Sequence, residues 1–406
     1  MENYELKYSG ECGKYSLERI SSVVEEYLKC GDYKNGIARV KCTNPECNHD
    51  FFVPFSCKQF LFCPSCSQKR TLLFGEYLAF EVLLKLPHKF FTFILPKALR
   101  VFLKNDKYLF SDISKLIYTL VNDFYTEAAG REIMSGAVLV YQSFGDMMRF
   151  NSHWHGIILE GGFDNDGNFV FIPIHAVEKI IEVFRRRVIS FFLDRELITK
   201  SFASNLLNWK NSGFSIDAKL RLYGSDNKTR ESIAQYIVRP PLSLKKIRYE
   251  PFKGRVLYKT KYNEYFGENF KVYNGEDFVS ALSQHIPPAR VHLVRYYGLY
   301  SSRTKGIWED IPNVVRLAPE GFSKKQEEHD TDEVADDTEV QDVKGSAKRS
   351  AWARLIKKVY GIDVLICKKC GSEMRIVAFI MKPVQIDRIM QYLIKQGRAP
   401  PSITQY

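Results

Sequence analysis

Hydrophobic positions along this chain alternate between the two-residue rhythm of strands and the 3.6-residue rhythm of helices. Residues 15–30 put Ile20, Val23, Val24 and Leu28 on one stripe, which predicts an amphipathic helix. A cysteine-rich segment covers 42–66, and a helical pattern follows over 70–86 until Pro87 ends it. The run Phe90-Phe91-Thr92-Phe93-Ile94-Leu95 reads as a buried strand stopped by Pro96, and 97–131 reads as helical. Residues 137–144 and 150–159 read as antiparallel partners across a turn that starts at Gly145-Asp146. Residues 175–210 look helical and basic, with Arg185-Arg186-Arg187 in a row. A shorter helix over 226–238 is halted by Pro240-Pro241. Aromatic and basic residues then alternate over 248–273, which suggests a hairpin. After Pro319 the chain turns acidic and polar to about residue 350, a linker composition. A strand-like 374–380 and a last helix close the chain.

This order predicts an α+β protein, divided as 1–86, 87–318, a linker over 319–350 and a C-terminal unit over 351–406. The net charge is +12 and the pI about 9.1, although acidic residues gather over 327–342. The rest of the body is therefore more basic than the total and favours a polyanion such as nucleic acid. Apolar runs such as 137–141 are too short to span a bilayer, and the N-terminus lacks a signal pattern. Cysteines in metal-like spacings, with no such targeting segment, point to a reducing cytoplasm.

Cys42-x4-Cys47 and Cys63-x2-Cys66 have the look of two halves of a tetrahedral zinc site, with Cys57 and His49 as alternates. A purely structural zinc accounts for this set as well as DNA contact does. Cys367-x2-Cys370 is half a site, or simply a pair of free thiols.

The sharper signal is His153-Trp154-His155. On a strand the two imidazoles share a face and Trp154 points to the other. A hairpin turning at Met147-Met148 sets Gln142 opposite His153, so an amide oxygen could join the imidazoles around one ion. That donor set suits Mg²⁺ or Mn²⁺ only loosely and leaves the ion open. A lone His-x-His pair is more often coincidence than a ligand set. Here the apolar run Gly156-Ile157-Ile158-Leu159 makes it the edge of a buried strand.

With 23 tyrosines in the chain, a helical tyrosine is ordinarily core. Tyr236 stands out through its neighbours. Gln235 is a second candidate ligand, and Arg239 shares its helix face and can steady a phosphate. Lys245 and Lys246 follow. Arg295, Tyr296 and Tyr297 form a competing aromatic and basic group, suited to stacking on DNA. A metal-binding pair plus a tyrosine is a minimal kit for cutting single-stranded DNA through a phosphotyrosine.

In order, these pieces resemble the rolling-circle insertion-sequence transposases of the HUH endonuclease superfamily. The resemblance rests on Phe62-Cys63-Pro64-Ser65-Cys66, the stretch from Phe91 to Arg100, His153-Trp154-His155, Tyr236 to Leu242, Val294 to Gly298, and Cys367-x2-Cys370-Gly371. It implies a nuclease domain whose central antiparallel sheet is flanked by helices, with a small N-terminal zinc-binding domain and a small C-terminal unit. It implies that His153 and His155 hold the divalent ion and that Tyr236 forms a 5′-phosphotyrosine link to single-stranded or hairpin element ends. Many relatives carry a second tyrosine four residues earlier, where this chain has Ser232. The chain thus resembles a single-tyrosine branch, in which one tyrosine acts twice or a homodimer supplies two. A bacterial nucleoid-associated location follows from the same resemblance. A plasmid rolling-circle initiator or relaxase shares the chemistry. A non-catalytic, zinc-dependent nucleic-acid-binding protein would explain the cysteines and the charge, but not the histidines.

Overall fold

The computed structural model describes residues 17–106, 108–264, 267–288, 290–305, 313–319, 365–395 and 397. Those within Phe74–Thr331 form one compact unit, and those within Leu17–Leu73 and Asp332–Tyr406 form another. The linker expected over 319–350 lies outside the described residues, apart from residue 319.

The larger unit is α+β. Its central sheet runs Val294–Gly298, Gly136–Phe144, Phe150–Leu159, His88–Ile94, Ser215–Asp217, with each neighbour antiparallel. Arg221–Leu222 pairs with the far end of His88–Ile94. One face of the sheet is apolar. Phe91, Phe93, Leu139, Tyr141, Trp154 and Ile158 pack there in one core with Ile113, Ile117, Val121, Phe184 and Val188. The latter residues come from helices Leu109–Ala129 and Glu178–Asp194. Burying side chains of this size contributes roughly 1.5–3 kcal/mol each. Trp154 has no exposed surface, and its indole Nε1 donates to Ser114 Oγ at 2.9 Å, so its polar edge is satisfied inside the core.

That packing settles which face the neighbouring histidines take. Gln142 pairs with His153 and Val140 with His155, while Thr92 and Ile94 flank the pair on the other side. The hairpin tip that fixes this register is unusual. Met147 and Met148 both adopt left-handed backbone, with φ of 56° and 53°. Such residues cost about 1–2 kcal/mol each without a glycine. Long-range bonds hold them: Tyr273 Oη donates to the Met147 carbonyl at 2.7 Å, and His285 Nε2 donates to the Met148 carbonyl at 2.9 Å.

The helix expected over 97–131 divides into Lys97–Asn105 and Leu109–Ala129, and the one over 175–210 into Glu178–Asp194 and Lys200–Asn208. The aromatic and basic stretch after Lys246 forms a separate antiparallel sheet of Ile247–Glu250, Arg255–Asn263 and Glu268–Asn274. In the chain segment after the cysteine block, helix Pro64–Tyr77 continues as a π turn over Leu78–Val82.

The smaller unit corrects the division into 1–86 and 351–406 as separate domains. Strand Met374–Ile380 pairs along Ile37–Cys42, from Ile37 opposite Ile380 to Cys42 opposite Met374. Asp50–Pro54 takes the other edge. Two N-terminal strands make a marginal sheet on their own, and the C-terminal strand supplies a third.

Candidate nuclease site and cysteine clusters

The site is assembled on the sheet face opposite Trp154. His153 and His155 are 7% and 3% exposed, and their Nε2 atoms stand 3.2 Å apart. His153 Nδ1 donates to the Asn151 carbonyl at 2.7 Å, because a carbonyl can only accept. That bond leaves Nε2 of His153 with a lone pair aimed at its neighbour. His155 Nδ1 bonds Thr92 Oγ1 at 3.1 Å. When that nitrogen donates to the hydroxyl, two Nε2 lone pairs face each other, an arrangement that a shared cation relieves. Two imidazole nitrogens each about 2.1 Å from one ion, at tetrahedral or octahedral angles, stand about 3.0–3.4 Å apart.

Gln142 completes the donor set. It is buried, its amide Nε2 donates to the Ile237 carbonyl at 2.7 Å, and its Oε1 is buried with no hydrogen-bond partner. An orphaned amide oxygen beside two imidazole lone pairs fits a divalent cation. The other candidate, Gln235, gives its amide nitrogen to Glu231 Oε1 at 3.0 Å.

Tyr236 lies in helix Asn227–Ile237, whose N-terminus is capped by Asp226 accepting from the Thr229 amide at 3.0 Å. Its ring sits edge-on to His155 with centroids 5.3 Å apart, and to Phe90 at 6.0 Å. The Arg239 guanidinium carbon lies 4.2 Å from the Tyr236 ring centre. Tyr236 is 38% exposed, open enough for a strand of DNA to reach. The Gln142–Ile237 bond ties the end of this helix directly to the histidine face. Histidines, glutamine, tyrosine and arginine are thus brought together as the sequence suggested.

Lys245 and Lys246 are exposed just beyond the helix. Arg295, Tyr296 and Tyr297 are half-buried on Val294–Gly298 instead of forming an open platform. Tyr297 stacks on Tyr118 at 5.2 Å and packs against the helical core, because it alternates onto the apolar face. Gly298 ends the strand at φ +55°, where a Cβ would run into the Ser135 carbonyl.

Burial drives the imidazoles toward their neutral, ligating form. His153 is pushed down to about 4 by burial, with Arg239 and Arg100 adding to the effect against the Asn151 carbonyl. His155 is pushed down to about 2 by burial, then by His153 and Arg239. Burial likewise lowers His88 to about 3 and His285 to about 4. The unfolded chain binds these protons as pH falls below the ordinary value of 6.5, whereas the folded unit refuses them until about 4. Stability is therefore complete above 6.5 and is lost as pH falls from there. The metal-free protein should show a urea midpoint that drops steadily between about pH 7 and pH 4.5. A flat midpoint over that range would contradict these depressed values.

The predicted zinc set Cys42, Cys47, Cys63 and Cys66 is corrected. Among the described residues the thiols fall into two groups, Cys30, Cys57, Cys63 and Cys66, and Cys42, Cys47, Cys367 and Cys370, each with its sulfurs within 4.8 Å of one another. Cys57, first an alternate, belongs to the first group, and His49 belongs to neither. In the first group Cys30 Sγ stands 3.6 Å from Cys63 and 3.8 Å from Cys66, and Cys57 Sγ is 3.6 Å from Cys66. The Cys57 amide points at Cys30 Sγ at 3.4 Å, as backbone donors do around thiolate ligands. Sequence reading missed Cys30 because it lacks a paired cysteine nearby. Its position at the end of the amphipathic helix, before Gly31, was the available signal.

Two family models match the chain. Residues 136–306 match Y2_Tnp ("Putative transposase") and residues 1–95 match Zn_Tnp_IS91, a transposase zinc-binding domain. A transposase for insertion sequence element IS801 from Pseudomonas savastanoi pv. phaseolicola is 21% identical over 383 residues, covering 88% of this chain and 83% of the relative. No solved structure matches. No helix among the described residues is long and apolar enough to cross a membrane. The first match spans Gln142, the paired histidines and Tyr236, and the second spans the whole first cysteine group and the Cys42–Cys47 knuckle. Together the two matches and the relative support an IS91-family rolling-circle transposase with an N-terminal zinc-binding domain.

Proposed function

We propose that this transposase nicks and rejoins single-stranded DNA at element ends through a covalent 5′-phosphotyrosine on Tyr236. The observation that carries the reading is the Tyr236 ring 5.3 Å from His155, on the face that also holds His153 and Gln142.

In this reading the Tyr236 oxygen bonds to the scissile phosphorus as the bond to the 3′ oxygen breaks. The phenol loses its proton, and the departing strand gains one to end in a 3′-hydroxyl. One phosphodiester replaces another, so a 3′-hydroxyl can later attack the phosphotyrosine and restore a DNA link. Mg²⁺ or Mn²⁺, when held by His153, His155 and Gln142 Oε1, would supply Lewis-acid charge to the phosphate. Arg239, whose guanidinium lies over the Tyr236 ring, steadies the phosphate. Thr92 and Asn151 keep the imidazoles oriented. With Ser232 in place of a second tyrosine, both transfers fall to Tyr236, used twice in one chain or once in each chain of a homodimer.

Lys245 and Lys246 offer charge to the strand. The sheet after them presents Tyr249, Phe252, Tyr262 and Phe270 exposed among basic residues, a pattern suited to stacking on unpaired bases. The similarity to transposase family models and to an insertion-sequence transposase supports transposition over the plasmid initiator and relaxase readings.

The test is to trap the adduct on a single-stranded element end with Mn²⁺ and digest it with trypsin. Nucleotide mass should appear on the peptide 231–245, which follows Arg230 and runs past the uncleaved Arg239-Pro240 bond to Lys245. Nucleotide on another tyrosine peptide would move the nucleophile; DNA cut without any adduct would remove the covalent step.

A further inference from the structure

We propose that the second cysteine group is a separate zinc site, a clasp in which the Cys367-x2-Cys370 knuckle of the C-terminal segment and the Cys42-x4-Cys47 knuckle of the N-terminal segment grip one ion. The zinc-binding family match ends at residue 95, so it contains only half of these ligands.

The geometry is that of a tetrathiolate site. Cys42 Sγ lies 3.5 Å from Cys370 Sγ, and Cys47 Sγ lies 3.7 Å from Cys367 Sγ. Four sulfurs about 2.3 Å from one Zn²⁺ in a tetrahedron stand about 3.8 Å apart. These separations are far beyond a sulfur–sulfur bond of about 2.05 Å, and all four are free thiols. Both knuckles are shaped in advance. The Cys42 amide donates to the His49 carbonyl at 2.8 Å, which folds residues 42–49 back on themselves. The Cys367 amide donates to the Ser372 carbonyl at 2.8 Å, and Gly371 turns the chain at φ +75°. The knuckles are then aligned by strand pairing, since Cys42 is opposite Met374 and the Thr43 amide donates to the Glu373 carbonyl at 2.9 Å.

The packing shows why an ion is needed. The core beneath the site consists of Val40, Cys42, Cys367 and Met374, with Cys47, Phe51, Val53 and Ile376 at its edge. So small a core is weak support for a segment that returns from more than 300 residues away, as the Cys42–Cys370 separation of 328 requires. Four thiolates around Zn²⁺ carry a net charge of about −2, and Lys41, Lys368 and Lys369 adjoin the ligands to offset it. Loading releases the thiol protons, so the clasp opens to acid as well as to chelators.

The test uses the full chain. Elemental analysis of the wild type should give two zinc ions per chain, and Cys367→Ser/Cys370→Ser should give one. A recognition sequence for a specific protease, inserted within 327–342, then allows the chain to be cut in the wild-type background. The C-terminal fragment should co-elute with the rest while zinc is present, separate on chelation, and return when zinc is restored. One zinc in the wild type, two in the double variant, or a fragment that leaves while both ions stay bound would each overturn the clasp. So would a fragment that stays bound after all zinc is removed. None of these readouts depends on nicking, so the clasp stands or falls apart from the chemistry assigned to Tyr236.

Discussion

Tyr236→Phe should abolish the covalent protein–DNA adduct and lower nicking of a single-stranded element end by about 10⁴-fold or more, the scale seen when a nucleophile is removed. The substitution deletes one oxygen and keeps the ring. The edge contacts to Phe90 and His155 and the Arg239 cation over the ring all involve the ring, not the hydroxyl. The side chain is 38% exposed, so stability should change by no more than about 0.5 kcal/mol. DNA affinity should also persist, since it rests on phosphate contacts spread over many basic residues. The two measurements are a denaturing gel for the adduct and a filter-binding titration at fixed salt. An undiminished adduct in the variant would assign the nucleophile to another residue, and Tyr296 and Tyr297 would be the first to test.

His153→Ala and His155→Ala should each reduce nicking by about 10³-fold, equivalent to about 4 kcal/mol of lost transition-state stabilisation. Each removes one of two Nε2 donors held 3.2 Å apart, and one imidazole with an amide oxygen is a poor site for a divalent ion. Both side chains are buried and neutral, so the substitutions leave a cavity without stranding a charge. A thermal melt should accompany each assay, to separate lost ligation from lost packing. Manganese titration is the discriminating readout. Activity that recovers partly at high Mn²⁺ marks weakened ligation, whereas DNA binding lost in parallel with nicking would make the histidines structural. Thr92→Val provides a milder companion, since it removes the hydroxyl that orients His155 and should weaken metal binding by about 10–100-fold.

Much of the candidate site on the histidine face was legible in the residues themselves. Side chains on a strand alternate with period two, so His153 and His155 had to share a face once Trp154 was committed to the core. A turn at Met147-Met148 would set Gln142 against His153, and that pairing is present, with a register shift between Gln142 and Phe144 nearer the turn. A proline pair after Arg239 marked where the tyrosine helix stops. These are local effects, carried by sterics and by apolar periodicity within a few residues.

Other features had no local cause. Tyr297 looked like a stacking surface until the edge strand turned it onto Tyr118 and the helical core. The left-handed pair Met147-Met148 is held by Tyr273 and His285, more than a hundred residues downstream. The cysteine spacings announced metal, but spacing defines half-sites and is silent on which halves meet. Cys30 joins Cys57, Cys63 and Cys66, while Cys42 and Cys47 wait for Cys367 and Cys370. The chain by itself determined the strands, the helices, the paired imidazoles and the tyrosine beside its arginine. Tertiary structure alone decided the partners, because bringing distant segments together depends on whole-domain packing and strand pairing that no short stretch of residues encodes.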